Sequence, residues 1–348
     1  MLQRCLCASV LMLLCGQAVS QVAEPKPAAP TKQTPTNQTP TKQATTKPEK
    51  DEGSTVVRLG SWNIEWLGKP TDRSGQAKGV AQKPEDLADA IIDAKVSILA
   101  LQEIVTKERG TPIRSREIEA VVDVIKTRTK QQWQYVLFPG RQSGDQLTGV
   151  MWNADAVTAL NAEGKPWKQE QDSPWKLPIE GGKSAQGSGL WNRPPHAMKF
   201  SLGAEKTDLV LIVVHMKADY QGDFAQHRKE EAAGLIKALP EVKKQFKDQD
   251  VVVLGDTNCV QEKEPAAADL AGSSFVDLNG GKMQTHWRGG TMDRMFFPSS
   301  QPEFAGAKLD VVSESYLKKK KLSPADFKKN YSDHYLVVSE VKVMRDDD

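Results

Sequence analysis

Cysteine is almost absent from the part of this sequence that can fold. Of four cysteines, Cys5, Cys7 and Cys15 crowd into the first twenty residues, and Cys259 stands alone in the remainder. One thiol makes no internal disulfide, so a folded domain here relies on its apolar core. Nothing pairs Cys259 with a base, and it reads as a buried structural thiol rather than a nucleophile. Long apolar runs are scarce too. The run from Leu6 to Leu14 is too short for a permanent bilayer-spanning helix. It follows Arg4 and precedes Ala18-Val19-Ser20, whose small outer residues suit a signal peptidase. Residues 1–20 therefore read as a signal peptide cut after Ser20. A lipoprotein reading through Cys15 meets a large Leu14 where a small residue is wanted. The expectation is a secreted or periplasmic protein without a transmembrane segment.

A bulk surplus of positive charge is also missing. The 348-residue chain carries a formal charge of +2. Arg4 accounts for one unit, and between residues 21 and 55 five lysines against four acids account for the other. The remainder is near neutral, which excludes a polycation that wraps nucleic acid by charge alone. Contact with a polyanion must then come from local basic groups and a metal ion. Residues 21–55 are rich in Pro, Thr, Lys, Gln and Ala, with near-repeats at Thr34-Pro35-Thr36 and Thr39-Pro40-Thr41. They have almost no large apolar side chains to offset the entropy of ordering, and read as a disordered tether.

From residue 56 onward, short β-branched runs recur. Strands are expected at Val56–Ile64, Val96–Gln102, Gln134–Phe138, Gly149–Asn153, Ala197–Leu202, Leu209–His215, Val251–Gly255, Met295–Phe297, Leu309–Val312 and Tyr335–Val343. Helical spacing appears after Pro84 (Leu87, Ala90, Ile91, Ala94), around Ile118, Val121, Val122 and Ile125, and across residues 224–246 with Ala232, Leu235, Ile236 and Leu239 inward. No internal break divides the chain, so residues 56–344 form one domain. Many strands with few helices point to two packed sheets flanked by helices, not a doubly wound parallel sheet.

Polar residues recur where these strands end: Asn63, Gln102-Glu103, His215, and Asp256 with Asn258 two residues on. Asp293-Arg294 and Ser332-Asp333-His334 precede the last apolar runs. Strand ends hold side chains rigidly while opening onto a cleft. Glu103, Asp333 and the amide oxygen of Asn63 are hard oxygen ligands, suited to Mg²⁺, Mn²⁺ or Ca²⁺ more than to zinc. Hydrolysis of a phosphodiester needs charge neutralisation, an activated water and a stabilised leaving group, all within reach of a metal and histidines.

In this order the motifs resemble the endonuclease/exonuclease/phosphatase superfamily, the deoxyribonuclease I-like fold. The resemblance rests on Trp62-Asn63-Ile64-Glu65, Leu101-Gln102-Glu103-Ile104, Arg193-Pro194-Pro195, Val214-His215-Met216-Lys217, Gly255-Asp256-Thr257-Asn258, Asp293-Arg294 and Ser332-Asp333-His334. It implies a four-layer α/β sandwich of two mixed, mainly antiparallel sheets flanked by helices. It also implies that Glu103, assisted by Asn63, binds the metal, with Asp333 as a second ligand or phosphate-side partner. Asp256 and Asn258 would orient the attacked phosphate and water. His334 paired with Asp293 would be one acid/base group; His215 would be the other, or would stabilise the pentacovalent phosphate. Where the family places an acidic partner for this histidine, the matching region offers Asp145 or Gln146, of which a Gln would tune His215 less strongly. Arg193 and Arg294 are expected on the substrate side, with Arg288 a further candidate.

Plainer roles are expected elsewhere. His227 and Arg228 read as structural, His196 and His286 as ordinary loop residues, Lys318 to Lys321 as a solvated face, and Trp62 and Trp66 as packing groups. The superfamily shares its chemistry among nucleases, phosphatases and phospholipase-type enzymes, so fold alone does not choose. A secreted, weakly sequence-specific DNA endonuclease, monomeric and using Mg²⁺, ranks first. A phosphatase or sphingomyelinase-type phosphodiesterase ranks second, and a non-catalytic binding module third.

Overall fold

The computed structural model describes residues 56–69, 82–108, 110–141, 146–179, 189–219 and 222–346. The expected signal peptide, the tether and Asp145 lie outside the described residues. The strands are β1 (Val56–Leu67), β2 (Ile98–Ile104), β3 (Trp133–Leu137), β4 (Leu147–Asn153), β5 (Thr158–Leu160), β6 (Trp175–Lys176), β7 (His196–Ser201), β8 (Asp208–His215), β9 (Val251–Asp256), β10 (Phe275–Asp277), β11 (Asp293–Pro298), β12 (Asp310–Val311) and β13 (Val337–Lys342). The α-helices are α1 (Pro84–Ala94), α2 (Arg116–Thr129), α3 (Ala225–Phe246), α4 (Pro265–Gly272), α5 (Val312–Lys320) and α6 (Pro324–Asn330).

One sheet runs β12-β13-β1-β2-β4-β3, the other β10-β11-β9-β8-β7-β5, with β6 beside β7. Each sheet is antiparallel except for one central parallel pair, β1 with β2 and β8 with β9. This is the expected mixed, mainly antiparallel arrangement. Alternation along β8 shows how the layers form. Leu209, Leu211 and Val213 enter the core between the sheets, whereas Val210, Ile212 and Val214 pack with Leu235 and Leu239 of α3. A strand covered on both faces must be apolar throughout, which is why β8 and β9 read as unbroken runs.

Helix ends follow local chemistry. Pro84 opens α1 with a fixed backbone angle and no amide to satisfy. Ser115 caps α2 by accepting from the Ile118 amide at 3.3 Å. Two expectations need correction. Only Asp310–Val311 of the expected strand Leu309–Val312 pairs with β13, and Val312 already begins α5, whose Tyr316 is buried in the core. His196 is no loop residue: it opens β7, buried, with its Nδ1 2.9 Å from the Pro194 carbonyl and its ring against Phe138. Burial lowers its pKa to about 4. The short β5, β6, β10 and α4 carry too few residues to show a period.

Gly255 sets the spacing between the central strands of the second sheet. Its φ is +144°, and a Cβ there would lie 2.0 Å from the Val214 carbonyl oxygen. Gly164 has φ +76° but open space around it. Gly255→Ala should therefore lower urea-unfolding stability by several kcal/mol, adding a backbone clash to the roughly 1–3 kcal/mol of strain expected for Gly164→Ala. Equal unfolding midpoints for the two variants would refute the close-approach argument.

Candidate active site

Backbone irregularity builds the first wall of the site. The register of β1 on β2 shifts between Asn63 and Leu67, and that of β2 on β4 between Leu101 and Ile104. Within the interruptions Glu65, Trp66 and Glu103 take φ of 28°, 55° and 63°. Such angles are uncommon outside glycine, and a bulge re-aims the side chain it carries. Glu103 is turned so that its Oε2 accepts from the Trp66 amide at 3.1 Å and its Oε1 lies 3.7 Å from His215 Nε2.

The second sheet supplies the opposite wall through register alone. His215 pairs with Asp256 and Asp256 with Asp293, so one row crosses β8, β9 and β11. Asp256 is the centre of this row. Its Oδ2 accepts from Asn63 Nδ2 at 2.9 Å and lies 3.5 Å from His215 Nε2 and 3.8 Å from His334 Nε2. Its Oδ1 accepts from the Asn258 amide at 2.8 Å, an approach that holds Asn258 at φ 52°. Asn258 Nδ2 in turn donates to the Met216 carbonyl at 3.0 Å.

The Ser332-Asp333-His334 segment is strapped to β1. Ser332 Oγ donates to the Asn63 carbonyl at 2.6 Å and accepts from the His334 amide at 3.0 Å. Trp62, wholly buried as expected of a packing residue, donates Nε1–H to the His334 carbonyl at 3.0 Å. His334 Nδ1 donates to Asp293 Oδ2 at 2.9 Å, which leaves Nε2 facing the cleft. This is the pairing that the sequence motifs implied.

Burial and charge drive the two histidines in opposite directions. Burial lowers the pKa of His215 well below the ordinary histidine value, and Arg193 and His334 add to it, so the ring is neutral at pH 7. Burial opposes a charged His334 as well, but Asp293, then Asp256 and Asp333, more than offset it and raise the pKa well above that value. Among the carboxylates, burial first and then Asp333 push Glu103 up to about 7. Burial also raises Asp256. Asp333, partly exposed, goes the other way: its burial is outweighed by His286 and His334, and its pKa falls.

This electrostatic imbalance bears on a metal. Glu103, Asp256, Asp293 and Asp333 converge in a largely buried space, and Asp293 Oδ1 is buried with no hydrogen-bond partner among the described residues. Ligand atoms of Asp256, Asp293 and His334 lie within 4.8 Å of one another, as do those of His286, Asp333 and His334. An oxygen-rich set with unneutralised charge fits a hard divalent cation. Asn63 contributes indirectly, because its amide is engaged by Asp256 on one side and, through Oδ1, by the Glu65 amide at 3.1 Å on the other.

Several residues fall elsewhere than expected. Arg294 is not on the substrate side. It is wholly buried, pairs with Asp277, and donates to the carbonyls of Thr291 and Gln261 and to Thr291 Oγ1. Its charge fixes the Asp277–Thr291 region behind the site. Arg193 turns its guanidinium to the carbonyls of His215 (3.2 Å) and Met216 (2.8 Å) and to Gln146 Oε1 at 3.4 Å, bracing the end of β8. Gln146 thus meets Arg193, and His215 Nδ1 has no hydrogen-bond partner among the described residues. Sequence reasoning missed His286. Its Nε2 lies 3.7 Å from Asp333 Oδ2, and its ring packs edge-on against His334 at 5.0 Å.

Cys259 is buried and its thiol is pushed up to about 11, first by burial, so it stays protonated. Arg228 is buried between Asp219 and Glu264, and His227 Nε2 sits 2.7 Å from the Leu190 carbonyl, both bracing α3. Lys319 and Lys320 pair with Asp93 and Asp89 on the surface of α1. Removing the Arg294 charge would leave the largely covered Asp277 uncompensated. Arg294→Ala should therefore cost about 3–5 kcal/mol of unfolding free energy, read by chemical denaturation. A variant as stable as the parent would return Arg294 to the surface.

No family model matches the chain, and comparison with curated proteins returned no match. Solved structures do match. The human Nocturnin catalytic domain with bound sulfate aligns with a TM-score of 0.53 at 15% identity, covering 83% of this chain and 95% of that one. An endonuclease/exonuclease/phosphatase family protein from Bacteroides thetaiotaomicron aligns with a TM-score of 0.50 at 13% identity, covering 84% and 99%. Truncated Caenorhabditis elegans TDP2 aligns with a TM-score of 0.50 at 14% identity, covering 82% and 98%. At such identities the likeness concerns the chain's architecture: two mixed sheets, face to face between helices, in the fold of the endonuclease/exonuclease/phosphatase superfamily.

Proposed function

We propose that this protein is a divalent-metal-dependent phosphodiester hydrolase, exported from the cell, that cuts DNA as a weakly sequence-specific endonuclease. The observation that carries the reading is the opposed pair of histidines across Asp256. One ring is held charged by Asp293 and the other is held neutral by burial, and both present Nε2 to the same carboxylate oxygen. The charged ring suits a proton donor, and the neutral ring suits a hydrogen-bonding partner of the phosphate rather than a second acid.

In the proposed reaction a water attacks phosphorus and the bond to the leaving oxygen breaks, giving an alcohol and a phosphomonoester. Asp256, its pKa raised and its carboxylate fixed by Asn63 and Asn258, takes the proton of the water. His334 delivers its proton from Nε2 to the leaving oxygen, and Asp293 stabilises the charged ring beforehand. His215 offers its neutral ring edge to the phosphoryl oxygens. Glu103 and Asp333 would hold the divalent cation, with Asn63 keeping Asp256 in place, and the cation supplies charge neutralisation at the phosphate. Arg193 holds His215 in register through its carbonyl.

The test is plasmid and single-stranded DNA cleavage with Mg²⁺ or Mn²⁺, against chelator and against sphingomyelin and phosphomonoesters. DNA should be cut only with metal. His334→Ala should lower kcat by about 10²–10⁴-fold, and Asp293→Asn should move the alkaline limit of activity to lower pH, because the carboxylate that keeps His334 charged is gone. Full activity in His334→Ala would mean that the acid has been misassigned. Hydrolysis of lipid or phosphomonoester without DNA cleavage would overturn the nuclease reading.

A further inference from the structure

The loop that carries His286 does more than touch the catalytic pair. Residues 285–290 form a tight turn, with the Gly289 amide donating to the His286 carbonyl and the Thr285 amide to the Gly290 carbonyl, both at 2.9 Å. Gly289 and Gly290 have φ of 98° and 99°, angles suited to glycine. The turn is fastened to the Asp333-His334 segment. The Trp287 amide donates to the Asp333 carbonyl at 2.9 Å, the Tyr335 amide to the Thr285 carbonyl at 2.8 Å, and His286 bridges His334. From His286 to Arg288 is at most about 7 Å of backbone. Arg288 is exposed, and its guanidinium lies over the Trp287 ring at 4.9 Å. Among the described residues no carboxylate forms an ion pair with it, although acids surround the neighbouring cleft.

The opposite wall repeats the arrangement. The Trp66 amide donates to Glu103 Oε2, and the Lys69 ammonium lies over the Trp66 ring at 4.5 Å. Lys69 also has no carboxylate partner among the described residues. The Trp66 amide thus holds the Glu103 carboxylate and the Trp287 amide holds the Asp333 backbone, and each of these two rings carries a cation. A single phosphate ester has no use for two such pairs fastened to the residues around one reacting centre. A nucleic-acid strand does: its backbone offers a further phosphate on each side of the one cut, and its bases stack on aromatic faces.

We propose that Trp66–Lys69 and Trp287–Arg288 are the two strand-holding subsites of this active site, engaging the phosphates and bases that flank the scissile phosphate of a single nucleic-acid strand. The inference rests on the phosphodiester-hydrolase reading and narrows its substrate to a chain extending both ways from the cut. Arg288 replaces Arg294 as the substrate-side arginine. Trp66, expected to serve only as packing, gains a second role.

The experiment compares a single-stranded oligonucleotide with bis(p-nitrophenyl) phosphate, which has one phosphate and no flanking ones, in the same metal buffer. Arg288→Ala and Lys69→Ala should each lower kcat/KM on the oligonucleotide by about tenfold or more, the scale of a lost charged contact. The loss on the small ester should be several-fold smaller. Each variant should also flatten the logarithmic salt dependence of oligonucleotide cleavage by about 0.7, and Arg288→Lys should restore most of that slope. Equal losses on both substrates, or none on the oligonucleotide, would overturn the subsites. So would a wild-type enzyme that hydrolyses the small ester but not the oligonucleotide. Failure of the wild type on both substrates would instead remove the hydrolase reading on which the inference stands.

Discussion

Everything at this site turns on one buried carboxylate. Asp256 lies at the end of a strand covered on both faces, where an unpaired charge is costly. It is held there by Asn63 from the other sheet and by the amide of Asn258 two residues on. Those two contacts fix where both histidines can sit, since each presents Nε2 to the same oxygen. They also connect the sheets: Asn63 spans from β1 to β9, and Ser332 returns from the last segment to the Asn63 backbone. The strained angles at Glu103 and Asn258 belong to this constraint, because neither residue reaches Asp256 or His215 from a regular strand.

Such concentration of negative charge has a consequence for binding. With no cation bound, burial and mutual repulsion push Glu103 up to about 7, so near neutrality protons and metal compete for the same carboxylates. The protein does not resolve that competition with its own arginines. Arg294, the nearest in sequence to Asp293, is spent on Asp277 behind the site. Arg193 faces the carbonyls of His215 and Met216, where it lowers the pKa of His215 and, without overcoming burial and Asp333, that of Glu103. The negative potential therefore stays in the cleft, and a divalent cation is the group that fits it.

The sequence made the long elements and their order legible because β8 and β9 are apolar on both faces and α1 and α2 keep a clean helical stripe. It also made the His334–Asp293 pairing legible, since both residues stand beside strong apolar strands in recognisable motifs. What it hid has physical reasons. Asp293-Arg294 looks like a pair of cleft residues, but successive side chains on a strand point to opposite faces, so if Asp293 faces the cleft Arg294 cannot. His286 lies in a polar stretch with no periodicity, and only the turn closed by Gly289 and Gly290 brings it against His334. His196 follows two prolines and so resembled a loop, yet Pro194 supplies the carbonyl that its ring needs to be buried.

The near-neutral charge of the domain first argued against a strong nucleic-acid binder, and the structure alters how that number should be weighed. Net charge governs long-range attraction, whereas a cleft is governed by the few groups at its mouth. Here the acids lie deep, bonded into the sheets, and two further cations are carried on tryptophan faces by short turns. An enzyme so built would attract a polyanion weakly from a distance and hold it through stacking and two or three ionic contacts once it arrived. On the proposed reading, that favours cutting with little regard to sequence, because stacking accepts any base.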